Sequence, residues 1–187
     1  MDAFIASTLL VALAEIGDKT QLLSFVLAAR LRRPWAIIAG ILVATLANHA
    51  LAGWVGTLIA DFFSPDVMRW TTGIVFIVFG LWTLKPDELD EDEAPKTGSA
   101  SVFVTTTMAF FLAEMGDKTQ FATIALAAKY DALAWVVAGT TLGMMAANVP
   151  AVLIGEKLAH RLPLKAIRWT AAAVFALTGI LTLAGIA

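Results

Sequence analysis

Residues 14–21, Ala-Glu-Ile-Gly-Asp-Lys-Thr-Gln, recur with one change as Ala-Glu-Met-Gly-Asp-Lys-Thr-Gln at 113–120. Each copy sets two acids, a lysine and a glycine in the middle of a long apolar stretch. A charge at the centre of a membrane helix costs roughly 2.5–3.5 kcal/mol on insertion scales, so such residues normally face a partner or a pathway. The same 99-residue offset, without a gap, pairs Arg30 with Lys129, Gly40 with Gly139 and Gly56 with Gly155. It also pairs Arg69-Trp70-Thr71 with Arg168-Trp169-Thr170, and Gly80 with Gly179. The chain is an internal duplication, and its fold has to accommodate two copies of one unit.

What surrounds the motifs is too apolar for a soluble domain. Hydrophobic residues make up 59% and charged residues 15% of the 187 positions, with mean hydropathy +0.81. That composition fits a compact multi-span membrane protein. At about 20 residues per crossing, the length holds roughly six spans and no soluble catalytic domain. A net charge of −2 offers no basic surface for nucleic acid. With no cysteine, disulfides, thiolate metal sites and iron–sulfur clusters are excluded. Residues 1–14 carry neither a basic n-region nor a cleavage site, so the first apolar segment is expected to be a retained span.

The expected spans run from about Ala3 to Ala29, Trp35 to Ala60, Val67 to Leu84, Ser101 to Ala128, Leu133 to Ile154 and Ala166 to Ile186. Residues 1–85 form repeat one, 86–100 an acidic solvated linker, and 101–187 repeat two. Three spans per half is an odd number, so the second half enters the membrane from the side where the first ended. The expected fold is an all-α integral membrane protein. Its six transmembrane helices form two inverted three-helix repeats, with a pseudo-twofold axis in the membrane plane and the site at the midplane. Arg30, Arg32, Arg33, Lys85, Lys96, Lys157, Arg161, Lys165 and Arg168 fall on one side, Arg69 and Lys129 on the other. The positive-inside rule makes the first side cytoplasmic, which puts the acidic linker inside and both termini outside. Trp35, Trp54, Trp70, Trp82, Trp135 and Trp169 sit mostly near span ends and read as interface anchors.

Spacing of i,i+3 and i,i+4 puts Glu15, Asp18 and Lys19 on one helical face, and likewise Glu114, Asp117 and Lys118. Gly17 and Gly116 permit close helix approach or a local break. Inverted halves would bring the two acidic faces together as four carboxylates. Lys19, Lys118, Thr20, Gln21, Thr119 and Gln120 stand close by as further ligands or gating groups. An all-oxygen set suits Ca²⁺, Mn²⁺ or Mg²⁺. Four carboxylates and two lysines leave two negative charges, which one divalent cation or two protons would neutralise. Clustered carboxylates in low dielectric hold protons more tightly, so metal and protons compete, and competition joined to alternating access is antiport. A blander reading makes Glu15–Lys19 and Glu114–Lys118 buried ion pairs that tie helices together, but it does not require Asp18 and Asp117. Asn48 and Asn148 lie at similar depth, as added ligands or as interhelical hydrogen-bonders. His49, the offset partner of Asn148, reads as a proton relay or a packing histidine. Pro150 reads as a kink.

On these motifs the sequence resembles the six-span Ca²⁺/Mn²⁺–proton antiporters that carry Glu-x-Gly-Asp-Lys-Thr/Ser twice. Golgi cation exchangers, a chloroplast manganese transporter and bacterial manganese exporters belong to that family. The resemblance covers essentially the whole chain, the acidic central loop included. It implies that Glu15, Asp18, Glu114 and Asp117 ligate the cation. Mn²⁺ or Ca²⁺ would be the transported substrate rather than a resident cofactor, with H⁺ as coupling ion and the lipid bilayer as partner. The compact length is similar to the bacterial branch and implies export across the cytoplasmic membrane. A carboxylate-lined cation channel and an exporter of small cationic solutes are the other readings. An intramembrane hydrolase lacks an activated serine or a histidine-rich metal site. The choice of metal and the oligomeric state stay open.

Overall fold

The computed structural model describes residues 1–85, 101–154 and 163–186. The linker at 86–100, Gly155, Lys157 and Arg161 lie outside the described residues. Eight helices are seen among them: α1 Asp2–Glu15, α2 Lys19–Leu31, α3 Pro34–Phe62, α4 Pro65–Thr83, α5 Val102–Glu114, α6 Lys118–Tyr130, α7 Leu133–Ile154 and α8 Leu164–Leu183. No strand occurs among the described residues. Three of the helices, α3, α7 and α8, are long and apolar enough to cross a membrane.

Local chemistry sets the ends. Ser64 caps α4 by accepting the Val67 N–H, with Pro65 filling the first helical position, where a missing N–H costs nothing. Ser101 caps α5 through the Val104 N–H. Helices α2 and α6 close at offset-equivalent residues, Arg32 and Asp131, both left-handed (φ 51° and 45°) and both returning their N–H to the carbonyl four residues back.

The expected first and fourth spans are not single helices. Each breaks at its motif, into α1 and α2 and into α5 and α6. The shared-face expectation for Glu15, Asp18 and Lys19, and for Glu114, Asp117 and Lys118, is therefore corrected: each set is split across a turn. The reason lies in the backbone. Ile16 (φ −69°, ψ 112°) precedes Gly17 at φ +85°, and Met115 (φ −66°, ψ 115°) precedes Gly116 at φ +79°. Each turn closes by an N–H to carbonyl bond of 3.1 Å, Asp18 to Glu15 and Asp117 to Glu114. These are type II turns, whose third position demands positive φ and hence glycine.

The broken segments still run on in one direction along a long partner. Helix α3 meets α5 at Gly40, against Phe103 and Thr106, and then α6 at Gly56, against Ile124 and Ala127. Helix α7 meets α1 at Gly139, against Phe4 and Ser7, and then α2, where Gln21 and Ser24 reach Ala147 and Asn148. The halves are thus interlocked, and the contacts exchange: shifting Gly40, Phe103 and Thr106 by the 99-residue offset gives Gly139, Phe4 and Ser7. Helices α4 and α8 occupy equivalent places in their halves and pack antiparallel. Gly73 lies against Gly179, and Gly80 against Ala172 and Phe175. That pair of contacts also maps onto itself under the offset. A Cβ on Gly179 would stand 2.6 Å from the Gly73 carbonyl oxygen, so the approach requires glycine.

Two apolar clusters flank the motifs. Leu23, Leu27, Ile37, Ile41, Phe110 and Val152 form one, and Leu10, Phe76, Leu126, Val136 and Phe175 belong to the other. On α1 and α5 the acids follow directly on buried Ala14 and Ala113, so the polar residues occupy the seam between clusters. The outward surface of α3 is apolar, with Leu42, Leu46, Leu51 and Leu58 exposed, as a span facing hydrocarbon requires. All six tryptophans are exposed, as anchors at a membrane interface would be.

Candidate metal centre

Each motif residue has a place dictated by the break. Glu15 and Glu114 end α1 and α5, where the last carbonyls of a helix have no intrahelical partners. Asp18 and Asp117 stand at the N-caps of α2 and α6, where free N–H groups and the helix dipole favour negative charge. Gln21 and Gln120 reach back with Oε1 to accept the N–H of Gly17 (2.9 Å) and Gly116 (2.8 Å), a variant of the capping box. Thr20 Oγ1 donates to Glu15 Oε2 at 2.6 Å, and Thr119 Oγ1 donates to Glu114 Oε2 at 3.0 Å. The repeated letters encode a cap, a turn and a fixed carboxylate rotamer, twice.

The two breaks meet. Carboxylate oxygens of Glu15, Glu114 and Asp117 all lie within 4.8 Å of one another, and all three residues are buried. Oε1 of Glu15 and Oε1 of Glu114 are buried with no hydrogen-bond partner among the described residues. Buried oxygens left unsatisfied are costly, and two of them converging with a third carboxylate, Asp117, is the geometry of hard-cation binding.

Asp18 is not one of the three converging acids. Its Oδ1 accepts the Lys19 backbone N–H at 2.7 Å and its Oδ2 lies 3.1 Å from Lys118 Nζ. The mirrored pair, Lys19 Nζ and Asp117 Oδ1, is longer at 3.8 Å. Asp117 Oδ2 also accepts from Thr119 Oγ1 at 3.3 Å. Both lysines pair across the halves with aspartates, which corrects the reading of them as partners of Glu15 and Glu114 within one helix. The break is the cause, because it removes the i,i+4 register that such pairs need.

The polar residues around the trio divide. Asn48 Nδ2 donates to the Phe111 carbonyl at 3.0 Å, fixing α3 to the last turn of α5, while its Oδ1 is buried without a partner among the described residues. Asn148 is engaged on both ends, accepting from Ser24 Oγ at 2.7 Å and donating to the Met144 carbonyl at 3.0 Å. Gln21 Nε2 donates to the Ala147 carbonyl at 3.0 Å and so ties the first turn to α7. His49 is fully buried with neither ring nitrogen hydrogen-bonded among the described residues. It lies on the α3 face of Gly53 and Gly56, the face that packs on α6. Ser24 was not foreseen from sequence; its one signal is a place one turn beyond Gln21 on the buried side of α2.

The surroundings of the two turns differ. A Cβ on Gly17 would meet the Leu164 side chain at 3.0 Å, whereas a Cβ on Gly116, which is exposed, would meet nothing within 4 Å among the described residues. One break is covered by the start of α8 and the other is open.

A doubled broken helix with converging carboxylates finds its counterpart in sequence comparison. The family described as "Divalent cation/proton antiporter GDT1" matches residues 3–91 and 102–186. The chain belongs to the GDT1 family. A Vibrio cholerae protein named "Putative manganese exporter" is 52% identical over 183 residues, covering 97% of this chain and 90% of that one. The "GDT1-like protein sll0615" of Synechocystis is 30% identical over 203 residues, 97% of each chain. The "GDT1-like protein 5" of Arabidopsis thaliana is 28% identical over 220 residues, 98% of this chain and 96% of that one. No solved structure matches. GDT1 proteins are cation/proton antiporters, so the chain is a transporter and not an enzyme. The buried trio of this GDT1 chain is its candidate metal centre.

Proposed function

We propose that the chain is a secondary transporter that carries Mn²⁺ out of the cytoplasm in exchange for protons, by alternating access. The observation that carries this is the convergence of Glu15, Glu114 and Asp117 within 4.8 Å at the meeting of two broken helices. Discontinuous helices that place free backbone ends and acids at one point are how secondary transporters hold ions. With Asp18, the motif acids supply four carboxylates over the cycle. Their oxygens suit Mn²⁺ or Ca²⁺, and the name of the Vibrio cholerae relative favours Mn²⁺. The short distances among the ligand atoms fit one ion.

Six crossings follow if each broken segment counts as one. Helices α1 and α2 have 14 and 13 residues, and a 14-residue helix is only about 21 Å long, too short to cross a core of about 30 Å alone. The antiparallel pairing of α4 with α8 and the exchange of contacts between halves support two inverted three-helix repeats. Arg30, Arg32, Arg33, Lys85, Lys165 and Arg168 at one end support a cytoplasmic placement of that end in the cell membrane, with both termini and residues 61–66 outside and the 86–100 linker inside. His49 would serve as a proton relay on the α3 face that packs on α6.

The test is Mn²⁺ and Ca²⁺ flux into proteoliposomes with an internal pH dye, for wild type and Glu114→Gln. Metal movement matched by opposite proton movement, and lost in the variant, is expected. Metal flux without a proton signal would replace the antiporter by a channel.

A further inference from the structure

We propose that Lys19 and Lys118 are tethered cations that take turns at the two aspartates. The transported ion is then held at any moment by both glutamates and one aspartate. The inference rests on the cation-exchange reading above and adds how the site hands its cargo across.

The two lysine–aspartate pairs are equivalent by the 99-residue offset, and their motifs differ only at Ile16 and Met115. Yet they are unequal here. Lys118 is buried and closed on Asp18 at 3.1 Å, whereas Lys19 is partly exposed and 3.8 Å from Asp117. The converging trio contains the loosely paired Asp117 and not the tightly paired Asp18. An ammonium group about 3 Å from a carboxylate is a compact point charge in the place a metal would take. Asp18 is thus occupied by the chain's own cation, and Asp117 is offered to the ion.

A separate observation follows the same division. The turn beside Asp18 is covered by Leu164, and the turn beside Asp117 is open. The aspartate at the open turn faces the trio, and the aspartate at the covered turn holds a lysine. Exchanging the halves gives the opposite state: Lys19 closed on Asp117, Lys118 withdrawn, and Glu15, Glu114 and Asp18 forming the trio. Charge is the same in both. Three carboxylates and the loose lysine leave two negative charges, and the closed pair is neutral. The ion therefore meets the same electrostatic well on either side of the membrane, and the ion gradients set the direction of exchange.

The experiment measures Mn²⁺ binding by calorimetry on the purified full chain in detergent, beside Mn²⁺ transport in proteoliposomes. The variants are Asp18→Asn/Lys118→Gln and Asp117→Asn/Lys19→Gln. Each double variant removes a neutral pair and leaves one state's trio intact. Each is expected to bind Mn²⁺ within about 3-fold of wild type and to lose transport. If either double variant loses binding by about 10-fold or more, in the range set by disrupted ligation, the ion is held by both aspartates at once and the alternation is overturned. It is also overturned if either double variant transports at the wild-type rate. Wild-type protein that neither binds nor carries Mn²⁺ would instead overturn the exchange reading itself. Should a double variant not fold, Asp18→Leu/Lys118→Met, which replaces the neutral pair by apolar side chains and keeps the two negative charges of the trio and the loose lysine, decides the same point.

Discussion

Ser24 Oγ donates a 2.7 Å hydrogen bond to Asn148 Oδ1, and the offset-equivalent residues, Thr123 and His49, are not so joined. Thr123 instead donates to the Thr119 carbonyl inside its own helix. The bond on one side therefore links α2 to α7, while its equivalent is internal to α6. Removing the Ser24 hydroxyl strands a buried amide oxygen, a loss of about 1–3 kcal/mol. Removing the Thr123 hydroxyl frees only a local acceptor. Thermal unfolding of the purified protein should show Ser24→Ala well below wild type and Thr123→Val near it. Equal shifts would mean that the two joints are energetically alike.

Gly17 and Gly116 sit at the third position of type II turns, and their neighbourhoods predict unequal tolerance. A Cβ at positive φ costs about 1–2 kcal/mol for an L residue other than asparagine or aspartate. Gly116→Ala should bear that backbone cost alone, because the space beside it is open, and Gly116→Asn should bear less. Gly17→Ala bears the same cost and also presses on Leu164 at 3.0 Å. Yield and melting temperature are expected in the order Gly116→Asn, Gly116→Ala, Gly17→Ala. A stability for Gly17→Ala equal to that of Gly116→Ala would remove Leu164 from contact with the turn.

Much of this architecture was legible beforehand, and the reasons are specific. The gapless offset anticipates the interchange of Gly40 against α5 with Gly139 against α1, because duplicated sequence repeats its contacts. Helix α7 begins where hydropathy places it, at Leu133. Hydropathy did not decide the helix breaks, which Gly17 and Gly116 offered as one of two readings beside close helix approach. The signal was in the caps: Asp18 followed three residues later by Gln21, with Gly17 before it, is a helix start written inside a helix. The crossed lysine–aspartate pairs follow from that break and were hidden with it. Neither the separation of Asp18 from the trio nor the role of Ser24 is encoded locally, because both depend on α6 and α7 arriving from the other half.

Thr119 offers a test of how firmly the ion site is held. Its Oγ1 is within hydrogen-bond distance of Glu114 Oε2 (3.0 Å) and Asp117 Oδ2 (3.3 Å), two of the three converging acids. Losing a group that orients ligands lowers metal affinity by about 10–100-fold. Thr119→Val should weaken Mn²⁺ binding in that range with little change in melting temperature, and Thr119→Ser should restore it. An unchanged affinity in Thr119→Val would mean that packing alone orients the carboxylates.

The unequal cover of the two turns predicts which is reached from water. The chain has no cysteine, so a single introduced thiol reports its own surroundings without background. Met115 is 52% exposed beside the open Gly116, and Ile16 is half-buried beside Gly17 under Leu164. A charged thiol reagent attacks only the ionised thiol, which water must reach. Met115→Cys should therefore react at least about 10-fold faster than Ile16→Cys, whose thiolate burial in apolar surroundings suppresses. Truncating the cover with Leu164→Ala should raise the rate at Ile16→Cys while leaving Met115→Cys as it was, because Leu164 touches only the first turn. Equal labelling at both positions, or a rate at Ile16→Cys indifferent to Leu164, would show that the start of α8 does not shield the first break.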